Sequence, residues 1–351
     1  MSSLDTDHAN FHASAHAQEH SLFFTLLPAE IRDLIYIEFW RASSRTGTLR
    51  QHVFRRPDLE QTPGAPRSSH WAHAPCVTNP AGDDVRYTGF RNANPGSLER
   101  ASWLQRLKTE WCLHWACEEA DFAMLAESGD SVPQRSLFMP VLTTCKRMYI
   151  EALPSLYTHT TFIFTDIPCA DEFISLYTLS QTNLRSLEFS IRASNLLTEL
   201  YFPYDELADP SSDGPILTGS ARLSMSNNPW ARVCDLLAQQ QSLQSLRVWF
   251  DTRDLRPWHK RVSETRLFGR LFDVKIANRD KFVLALPELP ERNWEEDTEY
   301  FPHGLAAHHF LEGKVTENAP FKVIRGPRPN NWRVHMGDRF GERFLVGLGA
   351  G

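Results

Sequence analysis

The sequence predicts an α+β (or α/β) protein: a helical N-terminal part split by a long insertion, then helix-strand units that build a small sheet. Three observations carry this. Apolar residues recur at helical spacing in two segments, 28–40 and 142–157, with a Pro-, Gly-, Ser- and Arg-rich stretch at 43–98 between them. After residue 160 the rhythm changes to short β-branched and aromatic runs that alternate with helical segments. Two of those runs share a spelling, Leu184-Arg185-Ser186-Leu187-Glu188-Phe189 and Leu243-Gln244-Ser245-Leu246-Arg247-Val248, as if one unit recurs.

Residues 1–20 read as a disordered, His-rich tail. His8, His12, His16 and His20 fall at four-residue intervals, so a helix there stacks them on one face, where neighbouring imidazoles chelate zinc, nickel or copper. The first helix opens at Pro28, whose missing N–H suits the first turn, and Glu30 complements the positive helix end. Ile31, Leu34, Ile35 and Phe39 form one apolar face that Tyr36 and Trp40 widen. Ser43-Ser44-Arg45-Thr46-Gly47 stops it. Residues 43–98 lack periodicity and read as an irregular surface excursion.

Helical spacing returns over 99–127 through Trp103, Leu104, Leu107, Trp111, Trp115, Phe122 and Leu125. Cys112, His114 and Cys117 lie on this stretch. They cannot all share one helix face, and no second Cys/His pair accompanies them, so they read as core residues. A break at 128–131 precedes the second stripe: Leu142, Cys145, Met148, Tyr149, Ala152, Leu153 and Leu156. Strands are expected at 160–164, 184–191, 243–250 and 281–286, and helices at 170–179, 230–240 and 264–273. Short strands near 321–325 and 332–335 close the chain. The organisation that follows is a tail at 1–20, a helical part at 21–160 with its insertion, an α/β layer at 161–290 and an irregular extension at 291–351.

Composition narrows the function. With 42% hydrophobic and 11% aromatic residues the chain is globular, and a net charge of −6 gives no general attraction to nucleic acid or membranes. Arg41, Arg45, Arg50, Arg55 and Arg56 stand without a local acid and read as a solvated basic patch. Trp258 among Arg253, Arg256, Lys260, Arg261, Arg266 and Arg270 is the one stretch suited to phosphate contact and base stacking; in an acidic chain, a nucleic-acid partner is not expected. The longest early apolar run, 22–27, is too short for a signal peptide or a span. Cysteines at 76, 112, 117, 145, 169 and 234 show no disulfide spacing, and Asn-x-Ser/Thr is absent. A cytoplasmic or nuclear setting is expected.

No nucleophile elbow, phosphate loop, His-Glu-x-x-His pair or Cys-x-x-Cys appears, and no cofactor is expected. Asp166, Cys169, Asp171 and Glu172 follow a strand, where catalytic groups gather in α/β folds, but helix-capping acids occupy the same place. His308 and His309 beside Glu312 are candidates for a metal or acid/base site, although adjacent histidine side chains usually point in different directions. An enzyme remains the alternative class, as does a scaffold.

Leu27-Pro28-Ala29-Glu30-Ile31-Arg32-Asp33-Leu34-Ile35-Tyr36 resembles the opening helix of F-box proteins, which begins Leu-Pro-x-Glu-Ile/Leu. Thr144-Cys145-Lys146-Arg147 resembles the Val-Cys-Lys-x-Trp element of a later F-box helix, with Met148-Tyr149 where the Trp falls. Together with Tyr149-x-Glu151-Ala152-Leu153-Pro154-x-Leu156-Tyr157 and Thr161-Phe162-x-Phe164, they are similar to an uncharacterised filamentous-fungal family, a domain of unknown function with an F-box-like N-terminus. The Leu-x-x-Leu-x-apolar units resemble leucine-rich repeats at a longer, irregular spacing. The resemblance implies a protein-interaction module that binds the Skp-type adaptor of a cullin ubiquitin ligase through Leu27, Pro28, Ile31, Leu34, Ile35 and Cys145.

Overall fold

The computed structural model describes residues 14–44, 47–57, 69–79, 82, 84–128, 138–177, 183–193, 228–252, 264–287 and 319–326. Among the described residues the fold is mixed α+β, with seven strands in the order β2-β1-β3-β4-β5-β6-β7. The strands are β1 Arg50–Pro57, β2 Ser69–Pro75, β3 Thr161–Phe164, β4 Ser186–Ala193, β5 Ser245–Thr252, β6 Phe282–Pro287 and β7 Lys322–Gly326. The helices are α1 Leu22–Leu26, α2 Ala29–Ala42, α3 Arg86–Asn92, α4 Leu98–Lys108, α5 Trp115–Ser128, α6 Phe138–Thr143, α7 Lys146–His159, α8 Ile167–Tyr177, α9 Pro229–Gln239 and α10 Glu264–Phe268. No described helix is long and apolar enough to cross a membrane. The chain divides into two compact units. One comprises Met1–Gly82, Leu113–Ser190 and Gln240–Leu246, and the other Asp83–Cys112, Ile191–Gln239 and Arg247–Gly351.

In the first unit, β1 and β2 form an antiparallel hairpin inside the stretch read as irregular. The sequence hides it because its strands are polar: Arg50, Gln51, His52, Arg55 and Arg56 on β1, and His70 and His73 on β2. Strands without apolar alternation give no period-2 signal. Both end in proline, Pro57 and Pro75, which strand ends tolerate. β3 joins β1 in parallel, with His52 opposite Ile163, and β4 joins β3 in parallel, with Ile163 opposite Glu188. The parallel order expected from helix-then-strand units holds for the β3–β4 pair. Phe162 and Phe164, two residues apart on one face of β3, both reach Phe173 of α8 at ring separations of 5.4 and 5.1 Å.

The basic run of β1 is not a solvated patch, because distant acids meet it. Arg50 pairs with Glu188 (2.5 Å), Arg56 with Asp121 (2.5 Å) and Arg55 with Glu172. Arg41 pairs locally with Glu38, and Arg45 lies outside the described residues. α2 crosses α7 along a polar-tipped seam. Glu151 accepts from Arg32 Nε at 2.7 Å and Nη2 at 3.1 Å, from Tyr36 Oη at 3.4 Å and from Arg147 Nε at 3.3 Å. Fully buried Trp40 donates its indole N–H to Ser155 Oγ at 3.3 Å. Burial and the Glu151 carboxylate together push the Tyr36 phenol above its ordinary range.

Two predicted helices are shorter than expected. The stripe beginning at Leu142 breaks at Thr144, and Cys145 caps α7, its Sγ accepting from Met148 N at 3.3 Å. The helix expected over 99–127 breaks where Cys112 takes a left-handed conformation (φ 53°), leading through a 3-10 turn at Cys112–His114 into α5.

The second unit holds a core around Trp230 of α9. This residue is fully buried, packs on Phe250 at 5.2 Å and donates its indole N–H to Leu267 O at 2.9 Å. Arg325 of β7 forks onto Glu264 of α10 at 2.9 and 2.7 Å, and β6 and β7 pair in parallel. α3 approaches α4 through Gly89; a Cβ there falls 2.4 Å from the Trp103 ring, so only glycine permits this distance. The strand expected at 332–335 lies outside the described residues.

Candidate functional site

The six residues expected to meet a partner fall into two groups. Ile31 and Leu34 are exposed, at 42% and 57%, and Phe39 beside them at 41%. Ile35 is half-buried. Advancing 100° per residue, Leu34, Ile31, Ile35 and Phe39 occupy one arc of α2, while buried Arg32, Tyr36 and Trp40 occupy the arc facing α7. Ile31, Leu34 and Phe39 therefore face outward, because the inward arc is held by Arg32, Tyr36 and Trp40 with partners on α7. Pro28 is exposed and precedes the helix. Leu27 is half-buried, and its carbonyl accepts from Arg32 Nη1 at 2.6 Å. Leu22 and Leu26 on the preceding α1 are each 70% exposed. Cys145, at the cap of α7, is half-buried.

The histidines of the tail contribute less. His8 and His12 lie outside the described residues, and His16 Nδ1 accepts from the Gln18 N–H at 3.0 Å. Among the described residues a different set converges. One nitrogen or sulfur each from His52, Cys76, His114 and Cys117 lies within 4.8 Å of all the others, and all four residues are buried.

The hairpin register explains half of this set. Cys76 continues the ladder past β2, donating its N–H to Arg50 O at 3.0 Å, so its side chain shares a face with Arg50 and, two residues on, with His52. The other half, His114 and Cys117, is spaced three residues apart across the entry to α5 and faces one side. Cys76 Sγ lies 3.5 Å from His114 Nδ1 and 3.8 Å from Cys117 Sγ, and Cys117 Sγ lies 3.8 Å from His114 Nδ1. The His52 and His114 rings meet edge to face at 4.6 Å. Cys112 is not among the four.

A second layer fixes these side chains. His114 Nε2 bonds Glu188 Oε1 at 3.1 Å, Glu188 Oε2 accepts from Arg50 Nη2 at 2.5 Å, and Arg50 Nη1 donates to Thr78 O at 2.6 Å. Cys117 Sγ accepts from Val77 N at 3.3 Å and meets Thr78 Oγ1 at 3.1 Å. Burial raises the Glu188 carboxyl, but the His114 hydrogen bond and the Arg50 charge outweigh it and hold the group down at about 2. Desolvation lowers His52 to about 4, so its imidazole is neutral at pH 7. Burial opposes protonation of His114, yet its bonds to Cys117 and Glu188 prevail and raise it. Hydrogen bonding from Cys76 lowers the Cys117 thiol, and the same bond raises Cys76.

The sequence reading lacked the second Cys/His pair, which His52 and Cys76 supply. They lie 24 residues apart on the two arms of a hairpin, so no local spacing marks them. Nucleophilic chemistry at Cys117 has no approach route, since Cys117 and His114 are each only 1% exposed. The polar group after β3 is likewise engaged: Asp166 Oδ2 accepts from Cys169 N at the start of α8, and Glu172 pairs with Arg55. Burial pushes the Cys169 thiol up to about 12. Arg270 pairs with Asp235, while Arg253, Arg256, Trp258, Lys260, Arg261, His308, His309 and Glu312 lie outside the described residues.

A family model described as Domain of unknown function (DUF7730) matches residues 98–301. This span includes α7 and the helix-strand units but not α2 or the hairpin. No curated protein and no solved structure matches the chain.

Proposed function

We propose that this chain, which belongs to the family described as Domain of unknown function (DUF7730), is a protein-interaction module that docks a partner on the outward arc of α2. The observation that carries the reading is the exposure of Ile31, Leu34 and Phe39 on a helix whose opposite arc is already occupied by α7. Each large apolar side chain moved out of water contributes about 1.5–3 kcal/mol, so three or four on one helical arc suffice for a specific helix-in-groove contact. The F-box-like spelling of Leu27 to Tyr36 supports one occupant, the Skp-type adaptor of a cullin ubiquitin ligase. In this reading the leucine-rich-repeat-like units after residue 160 carry the second partner, and the protein works in the cytoplasm or nucleus.

Affinity capture from a eukaryotic lysate tests it, with the tagged wild type beside an Ile31→Asp/Leu34→Asp variant. The adaptor and the cullin are expected with the wild type and absent with the variant. Their absence from both overturns the ligase reading.

A further inference from the structure

We propose that His52, Cys76, His114 and Cys117 bind one zinc ion in a closed tetrahedral site that fastens the β1–β2 hairpin to the entry of α5. The distances are those the metal requires. With Zn–S near 2.3 Å and Zn–N near 2.05 Å, tetrahedral geometry sets sulfur–sulfur at about 3.8 Å and sulfur–nitrogen at about 3.5 Å. The protein has 3.8 Å between Cys76 Sγ and Cys117 Sγ, and 3.5 and 3.8 Å from these sulfurs to His114 Nδ1. A disulfide needs about 2.05 Å and does not describe the pair.

The surroundings match a ligand set rather than a chance meeting of thiols. His114 turns Nδ1 to the sulfurs and Nε2 to the Glu188 carboxylate, the arrangement that orients a metal-bound imidazole. Arg50 neutralises that carboxylate, and the Val77 N–H and Thr78 hydroxyl face the Cys117 sulfur as donors to a thiolate. Charge closes as well: two thiolates cancel Zn²⁺, the imidazoles are neutral, and Glu188 cancels Arg50. The two sulfurs and two imidazoles select zinc over magnesium or calcium. Four protein ligands, all buried, leave no position for water or substrate, so the site is structural. It also gives the polar hairpin an anchor that apolar burial does not.

The test uses the full chain with no metal-binding tag. Elemental analysis is expected to find one zinc per chain. Replacement of zinc by cobalt is expected to give the visible bands of a tetrahedral site with thiolate charge transfer. Cys76→Ser and Cys117→Ser should lose the metal, whereas alanine at His8, His12, His16 and His20 together should retain it. If a cysteine variant does not fold, the wild-type cobalt spectrum still decides. Glu188→Gln, which removes no ligand, should weaken zinc binding roughly 10–100-fold. A wild type that holds no zinc and gives no tetrahedral cobalt spectrum overturns the proposal, as does metal that disappears with the tail histidines.

Discussion

At the scale of single residues, Glu151 does the most to set the orientation of α2. It holds Arg32, Tyr36 and Arg147 at once, and its side chain is 25% exposed. Glu151→Ala removes the carboxylate from buried Tyr36 and leaves buried Arg32 only the Leu27 carbonyl. The expected loss is about 2 kcal/mol in urea denaturation, below the 3–5 kcal/mol of a fully buried pair because water reaches part of the site. His73 on β2 gives a pH effect of definite sign. Burial, with Arg56 adding to it, lowers its pKa below the ordinary 6.5. The unfolded chain therefore takes up a proton near pH 6.5 that the folded chain refuses. This group costs nothing above that pH and destabilises the fold as pH falls below it. Melting temperatures measured from pH 7.5 to 5 should decline less steeply in His73→Phe than in the wild type.

At the scale of elements, the close approach of α3 and α4 depends on one glycine. Gly89→Ala drives a methyl group into the Trp103 ring, and overpacking of this kind costs about 1–3 kcal/mol, read as a lowered melting temperature. The elements differ in how far the sequence announces them. α2, α7, β3, β4, β5, α9 and β6 were legible because apolar residues recur at 3.6 or 2, and each lies within a few residues of its expected place. β1 and β2 were not, since Arg50, Arg55 and Arg56 answer to Glu188, Glu172 and Asp121 from other elements, and local periodicity contains no such partner. For the same reason α2 was legible as a helix, yet the face it buries was not. Its inward arc is chosen by Glu151 and Ser155, more than a hundred residues away. His114 and Cys117 read as core residues in the sequence, and their meeting with His52 and Cys76 depends on the hairpin register, which local spacing does not contain.

At the scale of the whole molecule, the family match and the folding unit do not coincide. Residues 98–301 match the family, but the first compact unit takes α2, β1 and β2 from residues before them. Removing residues 1–97 uncovers Ile163 and Phe162 of β3 beside the lost β1 and leaves Glu188 without Arg50. A 98–301 fragment is therefore expected to lack a cooperative thermal transition that the full chain shows, as monitored by near-UV circular dichroism. α2 presents one arc to its own core, and the proposed partner takes the other. Isothermal titration of the purified Skp-type adaptor into the full chain tests it most directly. Saturable 1:1 binding is expected, weakened at least tenfold by Leu34→Asp while the melting temperature stays unchanged. No binding to the wild type, or equal binding to both proteins, contradicts it.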